Sequence, residues 1–142
     1  MTDVCKLVGK PFDRADWLAA APSEPYFTPS DDGKTGHYDW VAHGLIVRTR
    51  FDGAMEKTDE VELHATDLLG GRPWGEPFPY GLNPKMDRAA VENLLGTPAE
   101  TFENPDEQLS PYPYPYLSYH MGGGVRLTVS FRLGRMYGVN LR

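Results

Sequence analysis

From Val125 to Arg132 the chain alternates strictly, with Val125, Leu127, Val129 and Phe131 on one side and Arg126, Thr128, Ser130 and Arg132 on the other. A period of two predicts a half-buried strand. Gly134 turns the chain, and Met136 to Leu141 returns as an antiparallel partner. The plan occurs earlier too: Leu45 to Phe51, a turn near Asp52-Gly53, then Val61 to His64. Tyr38 to Ala42 and Tyr119 to Met121 add one strand before each hairpin. Helical spacing occurs only in short stretches. Asp87 is a good N-cap, Val91, Leu94 and Leu95 share a helix face, and Gly96 with Pro98 ends the turn sequence. Asp13 caps an earlier helix whose matching face carries Trp17, Ala20 and Ala21 before Pro22.

These parallels amount to a tandem repeat. The triplets Asp13-Arg14-Ala15 and Asp87-Arg88-Ala89 lie 74 residues apart, and each follows an apolar residue. Gly44-Leu45-Ile46-Val47-Arg48-Thr49-Arg50-Phe51 aligns with Gly124-Val125-Arg126-Leu127-Thr128-Val129-Ser130-Phe131, and Val61-Glu62-Leu63 with Val139-Asn140-Leu141. The expected architecture is α+β: two repeats over 1–68 and 84–142, each a short helix followed by about three antiparallel strands, with the helices packed on the sheet. Between them, 69–83 is too rich in Gly and Pro for regular structure and reads as a packed linker anchored by Trp74, Phe78 and Tyr80. A length of 142 residues suits one compact domain or two half-size repeats sharing a core.

The stretch Pro79-Tyr80-Gly81-Leu82, followed by Met86-Asp87-Arg88-Ala89-Ala90-Val91 and Leu94-Leu95-Gly96-Thr97-Pro98, resembles the helix entry of the small units in SmpA-like outer-membrane assembly lipoproteins and in the β-lactamase inhibitor protein, itself a tandem repeat. Together with Gly44 to Arg48 and Gly124 to Phe131, it is also similar to immunity proteins encoded beside bacterial polymorphic or contact-delivered toxins. That resemblance implies a binder that blocks another protein, with no catalytic residues to carry over. The expected function is an immunity protein that occludes the active site of a cognate toxin in a heterodimer. The alternative is an SmpA-like scaffold that takes a peptide or partner at a sheet edge.

Charge sharpens the partner. The chain has 20 acidic and 14 basic residues, a net charge of -6, which disfavours a duplex-binding protein. Through Gly71 there are 13 acidic and 7 basic residues, and after it 7 of each, so the excess lies wholly in the first half. A basic nuclease-type toxin suits such an acidic face, as does any other basic protein. Asp31, Asp32, Asp39, Asp59, Glu60 and Glu62 are the expected partner-binding carboxylates, with Trp40 as an aromatic anchor. The second expected surface is Ser110 to Leu117, where alternating prolines stiffen a loop that presents Tyr112, Tyr114 and Tyr116.

Motifs for chemistry are missing. Gly33-Lys34-Thr35 resembles the end of a phosphate-binding loop, but Thr28 stands where its upstream glycine belongs. No Gly-x-Ser-x-Gly or His-Glu-x-x-His occurs, and His37, His43, His64 and His120 are scattered without metal-ligand spacing. No enzyme activity, catalytic residue, cofactor or metal is expected, and no nucleic-acid or membrane partner. The single Cys5, the lack of an apolar leader and the absence of a bilayer-length apolar run lead to a cytoplasmic expectation.

Overall fold

Strand alternation sends every second side chain of the central strands into one layer. Tyr38, Val47, Val61, Leu141, Leu127 and Tyr119 form one cross-strand row, and Trp40, Leu45, Leu63, Val139, Val129 and Leu117 the next. All twelve are buried. They belong to a computed structural model that describes residues 3–66 and 72–142. Its strands are β1 (Tyr26–Pro29), β2 (Thr35–Trp40), β3 (Leu45–Asp52), β4 (Met55–His64), β5 (Glu100–Phe102), β6 (Tyr116–His120), β7 (Arg126–Arg132) and β8 (Arg135–Leu141). They make one antiparallel sheet in the order β1-β2-β3-β4-β8-β7-β6-β5.

The α+β expectation is therefore corrected. The described chain is dominated by a single eight-stranded sheet, against which stand two short α-helices, α1 (Arg14–Leu18) and α2 (Arg88–Leu95). Each copy contributes four strands instead of three. The additional ones, β1 and β5, form the two edges. They are four and three residues long, and β1 ends in Pro29. Proline is tolerated at an edge, where one side of the strand needs no donor. The helices stay short because Pro22 and the Gly96-Thr97-Pro98 stop follow closely on their caps. Both predicted caps form: the carboxylates of Asp13 and Asp87 accept from the backbone N–H of Ala15 at 3.0 Å and of Ala90 at 2.9 Å.

The two copies meet at β4 and β8, where Val61, Glu62 and Leu63 pair with Leu141, Asn140 and Val139. The matching triplets thus pair with each other, and a local twofold axis passes beside Glu62 and Asn140. One sequence alignment shifts. Val47 opposes Val61 while Val129 opposes Val139, so Val129 rather than Leu127 is the counterpart of Val47. The slip of two residues preserves inward and outward parity, which is why the alternation concealed it. By the same pairing Trp40 corresponds to Tyr119, and both have one task. The Trp40 indole Nε1 donates to the Ser23 carbonyl just past α1 at 2.8 Å, and the Tyr119 hydroxyl donates to the Gly96 carbonyl at the end of α2 at 3.1 Å.

Trp17, Ala21 and Val91 seal the covered face of the sheet, while Leu94 of the predicted apolar stripe turns out to be exposed. The described part of the linker lies against this face. Trp74 and Phe78 are buried, and the Trp74 N–H donates to the His64 carbonyl at 2.8 Å. Tyr80 adopts a left-handed backbone, and its phenol is pushed up to about 12 by burial and by a hydrogen bond with Cys5. The repeat boundary at residue 68, linker residues 69–71 and Asp67 lie outside the described residues. Among the described residues no helix is long and apolar enough to cross a membrane.

Candidate functional site

The helices and linker cover one face of the sheet, and the other is open. Along its central row run Tyr26, Asp39, Ile46, Glu62, Asn140, Thr128, Ser118 and Glu100, one from each strand. Most of the expected site residues converge on this open face, but in an altered electrostatic state. The Arg48 guanidinium reaches Glu60 and Glu62, each at 3.2 Å, and Arg50 meets Asp59 at 3.6 Å. Asn140 donates to the second oxygen of Glu60 at 2.5 Å. Glu60, Glu62 and Asp59 are therefore compensated by arginines from β3, and the face is zwitterionic where an acidic one was expected. Sequence reasoning counted the carboxylates in order along the chain, whereas their neutralisation comes from across the hairpin.

Glu100, Tyr116, Arg126 and Ser118 form a second network. The Tyr116 hydroxyl donates to Glu100 at 2.7 Å, the Arg126 guanidinium pairs with the same carboxylate, and its Nε donates to Ser118 at 2.9 Å. The hydrogen bond from Tyr116, reinforced by the charge of Arg126, holds the Glu100 carboxyl below the usual carboxylate range. A depressed folded-state value makes this contribution to stability complete above the unfolded carboxylate value and progressively lost as pH falls through the folded one. Tyr116→Phe is expected to raise the Glu100 titration midpoint in a side-chain NMR titration. An unmoved midpoint would show that the Tyr116 hydroxyl is not the principal cause.

The proline-rich loop folds back toward the same face. Tyr114 stacks on Tyr137 of β8 with ring centroids 4.2 Å apart, and Tyr112 meets Tyr114 edge-on at 5.7 Å. Burial and a hydrogen bond with Tyr114 push the Tyr137 phenol up to about 12, and the nearby Glu62 charge adds to this. Tyr112 remains 73% exposed. Tyr137 was not among the expected site residues. It stands at the register shift between Ser130 and Phe131, an irregularity that strict alternation does not foresee.

Three expected residues are placed elsewhere. Trp40 is 1% exposed and holds α1, so its ring is not available to a partner. Asp31 and Asp32 occupy the turn between β1 and β2, away from the tyrosine stack. Asp32 shapes that turn by accepting from Ser30 Oγ at 2.6 Å and Lys34 N at 3.0 Å, contacts that hold its carboxyl below the usual range. Asp39 lies on the open face, two strands from Glu62 in the central row. Among the described residues no group of three histidine, cysteine or carboxylate side chains gathers as metal ligands. No family model matches the chain, and neither does any curated protein or solved structure.

Proposed function

We propose that this chain is an immunity-type inhibitor that works in the cytoplasm, binds a cognate bacterial toxin one to one through the open sheet face, and occludes the toxin's active site. The observation that carries this reading is the Tyr114–Tyr137 stack, met edge-on by Tyr112, beside the paired charges of Arg48, Glu60 and Glu62, on the face that the chain's own helices leave uncovered. Rigid aromatic rings flanked by fixed charges are the side chains that anchor protein interfaces, since they bury large area with little loss of rotamer freedom. A basic nuclease-type toxin is the class that the negative net charge favours. Partner capture by strand addition is less suited to β1, which is four residues long and ends in proline.

The test is affinity isolation from the native lysate, followed by an activity assay on the co-purified protein. A stoichiometric partner whose activity falls in proportion to added protein is the expected result; a partner left fully active defeats the reading. Neutralising Asp59, Glu60 and Glu62 together, as Asn and Gln, releases Arg48 and Arg50 from their carboxylates. Association with a basic partner is then expected to slow about tenfold at low salt and to lose much of its salt dependence, with a smaller change in dissociation. Stopped-flow association rates at several ionic strengths check this. Unchanged rates would remove these carboxylates from the encounter surface.

A further inference from the structure

The twofold relation between the copies exposes a difference that neither copy shows alone. Pairing of β3 with β4 and of β7 with β8 makes Ser130 the counterpart of Arg48, Gly138 that of Glu60 and Asn140 that of Glu62. In the first copy this place is filled by a guanidinium bridging two carboxylates. In the second it holds only small side chains, and a hollow of about 470 Å³ opens there, with Glu60, Glu62 and Glu100 among its lining residues. Arg126 and Arg142 also line it, but they lie together on one side of the Asn140 row, joined through their backbones. Tyr137 lies on the other side.

Glu62 presents an unused acceptor there. Its Oε2 takes Arg48, whereas its Oε1 accepts no hydrogen bond among the described residues and has His64 Nε2 4.0 Å away. Glu62 and Ser130 line the same hollow, so a cationic group entering beside Ser130 faces this carboxylate. We propose that this hollow seats an arginine or lysine side chain of the protein partner, held by the Glu62 carboxylate beside Ser130. The partner's cation takes the place over Ser130 that Arg48 fills in the first copy, and Glu62 supplies the carboxylate from the neighbouring strand, because Gly138 and Asn140 stand where the first copy has Glu60 and Glu62. Arg126, already engaged by Glu100, and Arg142 repel it from the opposite side and so fix its position.

This rests on the inhibitor reading only for the partner's identity, and the hollow is testable without one. The probe is the capped tripeptide Ac-Gly-Arg-Gly-NH2, titrated into isotopically labelled protein and followed by amide NMR, with Ac-Gly-Glu-Gly-NH2 as comparison. Saturable shifts centred on Glu62, Ser130 and Asn140 are expected for the arginine peptide alone. Ser130→Arg supplies the residue that the first copy carries and is expected to weaken the peptide at least about tenfold, as is usual when a like charge occupies a charged subsite. Glu62→Gln, which leaves the hollow open, is expected to weaken it about fivefold through loss of the charge-assisted contact. Thermal melts of both variants establish that they are folded. Absent or non-saturable shifts, equal response to the acidic peptide, or full binding by both folded variants overturns the proposal. Peptide binding without any inhibited partner defeats the inhibitor reading alone, and an inhibited partner unaffected by Ser130→Arg defeats the hollow alone.

Discussion

Gly44→Ala is expected to destabilise the protein by more than about 3 kcal/mol, a loss that only a few mechanisms produce in a surface-to-core corner. Gly44 has φ +65, in the left-handed region, where an alanine costs about 1 kcal/mol more than glycine. The larger part comes from the linker. A Cβ at Gly44 lies 2.3 Å from the Arg72 carbonyl oxygen, 2.5 Å from the Trp74 nitrogen and 2.7 Å from the Pro73 carbonyl carbon. All three are backbone atoms, so no side chain can swing away. Relief requires the linker to lift, which strains the hydrogen bonds from Arg72 N to Val41 O and from Trp74 N to His64 O and loosens the buried Trp74. Gly53→Ala provides the control, because Gly53 has a similar φ of +66 but nothing within 4 Å of an added Cβ. Urea unfolding of both variants separates the two costs. Equal losses at the two positions would show that the linker does not press on Gly44.

The pattern that made this corner hard to foresee is the one that hid much of the open face. Residues with local causes were legible in the sequence: Asp13 and Asp87 cap helices, Gly134 closes a hairpin, and alternation through β7 assigns its buried side correctly. The edge strands were not, because Tyr26 to Pro29 contains a proline and Glu100 to Phe102 is too short to show a period. Missing β5 also meant missing the Glu100, Tyr116 and Arg126 network, which exists only because β5, β6 and β7 lie side by side. Register mattered as much as strand identity. With the two-residue slip corrected, Trp40 aligns with Tyr119, and its role as a tie to the helix end follows from the match. Arg48 escaped notice for a related reason: a bulge after it sets which carboxylates of β4 it faces. Interactions decided by pairing between distant segments leave little trace in a single strand's composition.

Tyr114→Ala is expected to accelerate dissociation of the proposed inhibitor–toxin complex about 30-fold, equivalent to about 2 kcal/mol, the size expected of a central interface anchor. Tyr114 stands between two other rings, stacked on Tyr137 and met edge-on by Tyr112. Its truncation therefore removes one ring's contact area and also the support that orients Tyr112, the most exposed of the three. Tyr112→Ala removes a ring without dismantling the Tyr114–Tyr137 stack, so its effect on dissociation is expected to be smaller. Tyr114→Phe keeps the stack but deletes the hydroxyl bonded to Tyr137, and isolates that hydrogen bond. Association rates should change little in all three, because the substitutions leave every charge in place and steering depends on charge. The discriminating measurement is dissociation under excess unlabelled competitor. Tyr114→Ala with wild-type association and dissociation would exclude the stack from the interface, whereas a slower association with unchanged dissociation would assign it to the encounter step instead. The ordering Tyr114→Ala above Tyr112→Ala above Tyr114→Phe follows from the stack's geometry, since the first removes the central ring and the support of Tyr112, the second only the outer ring, and the third only a hydroxyl.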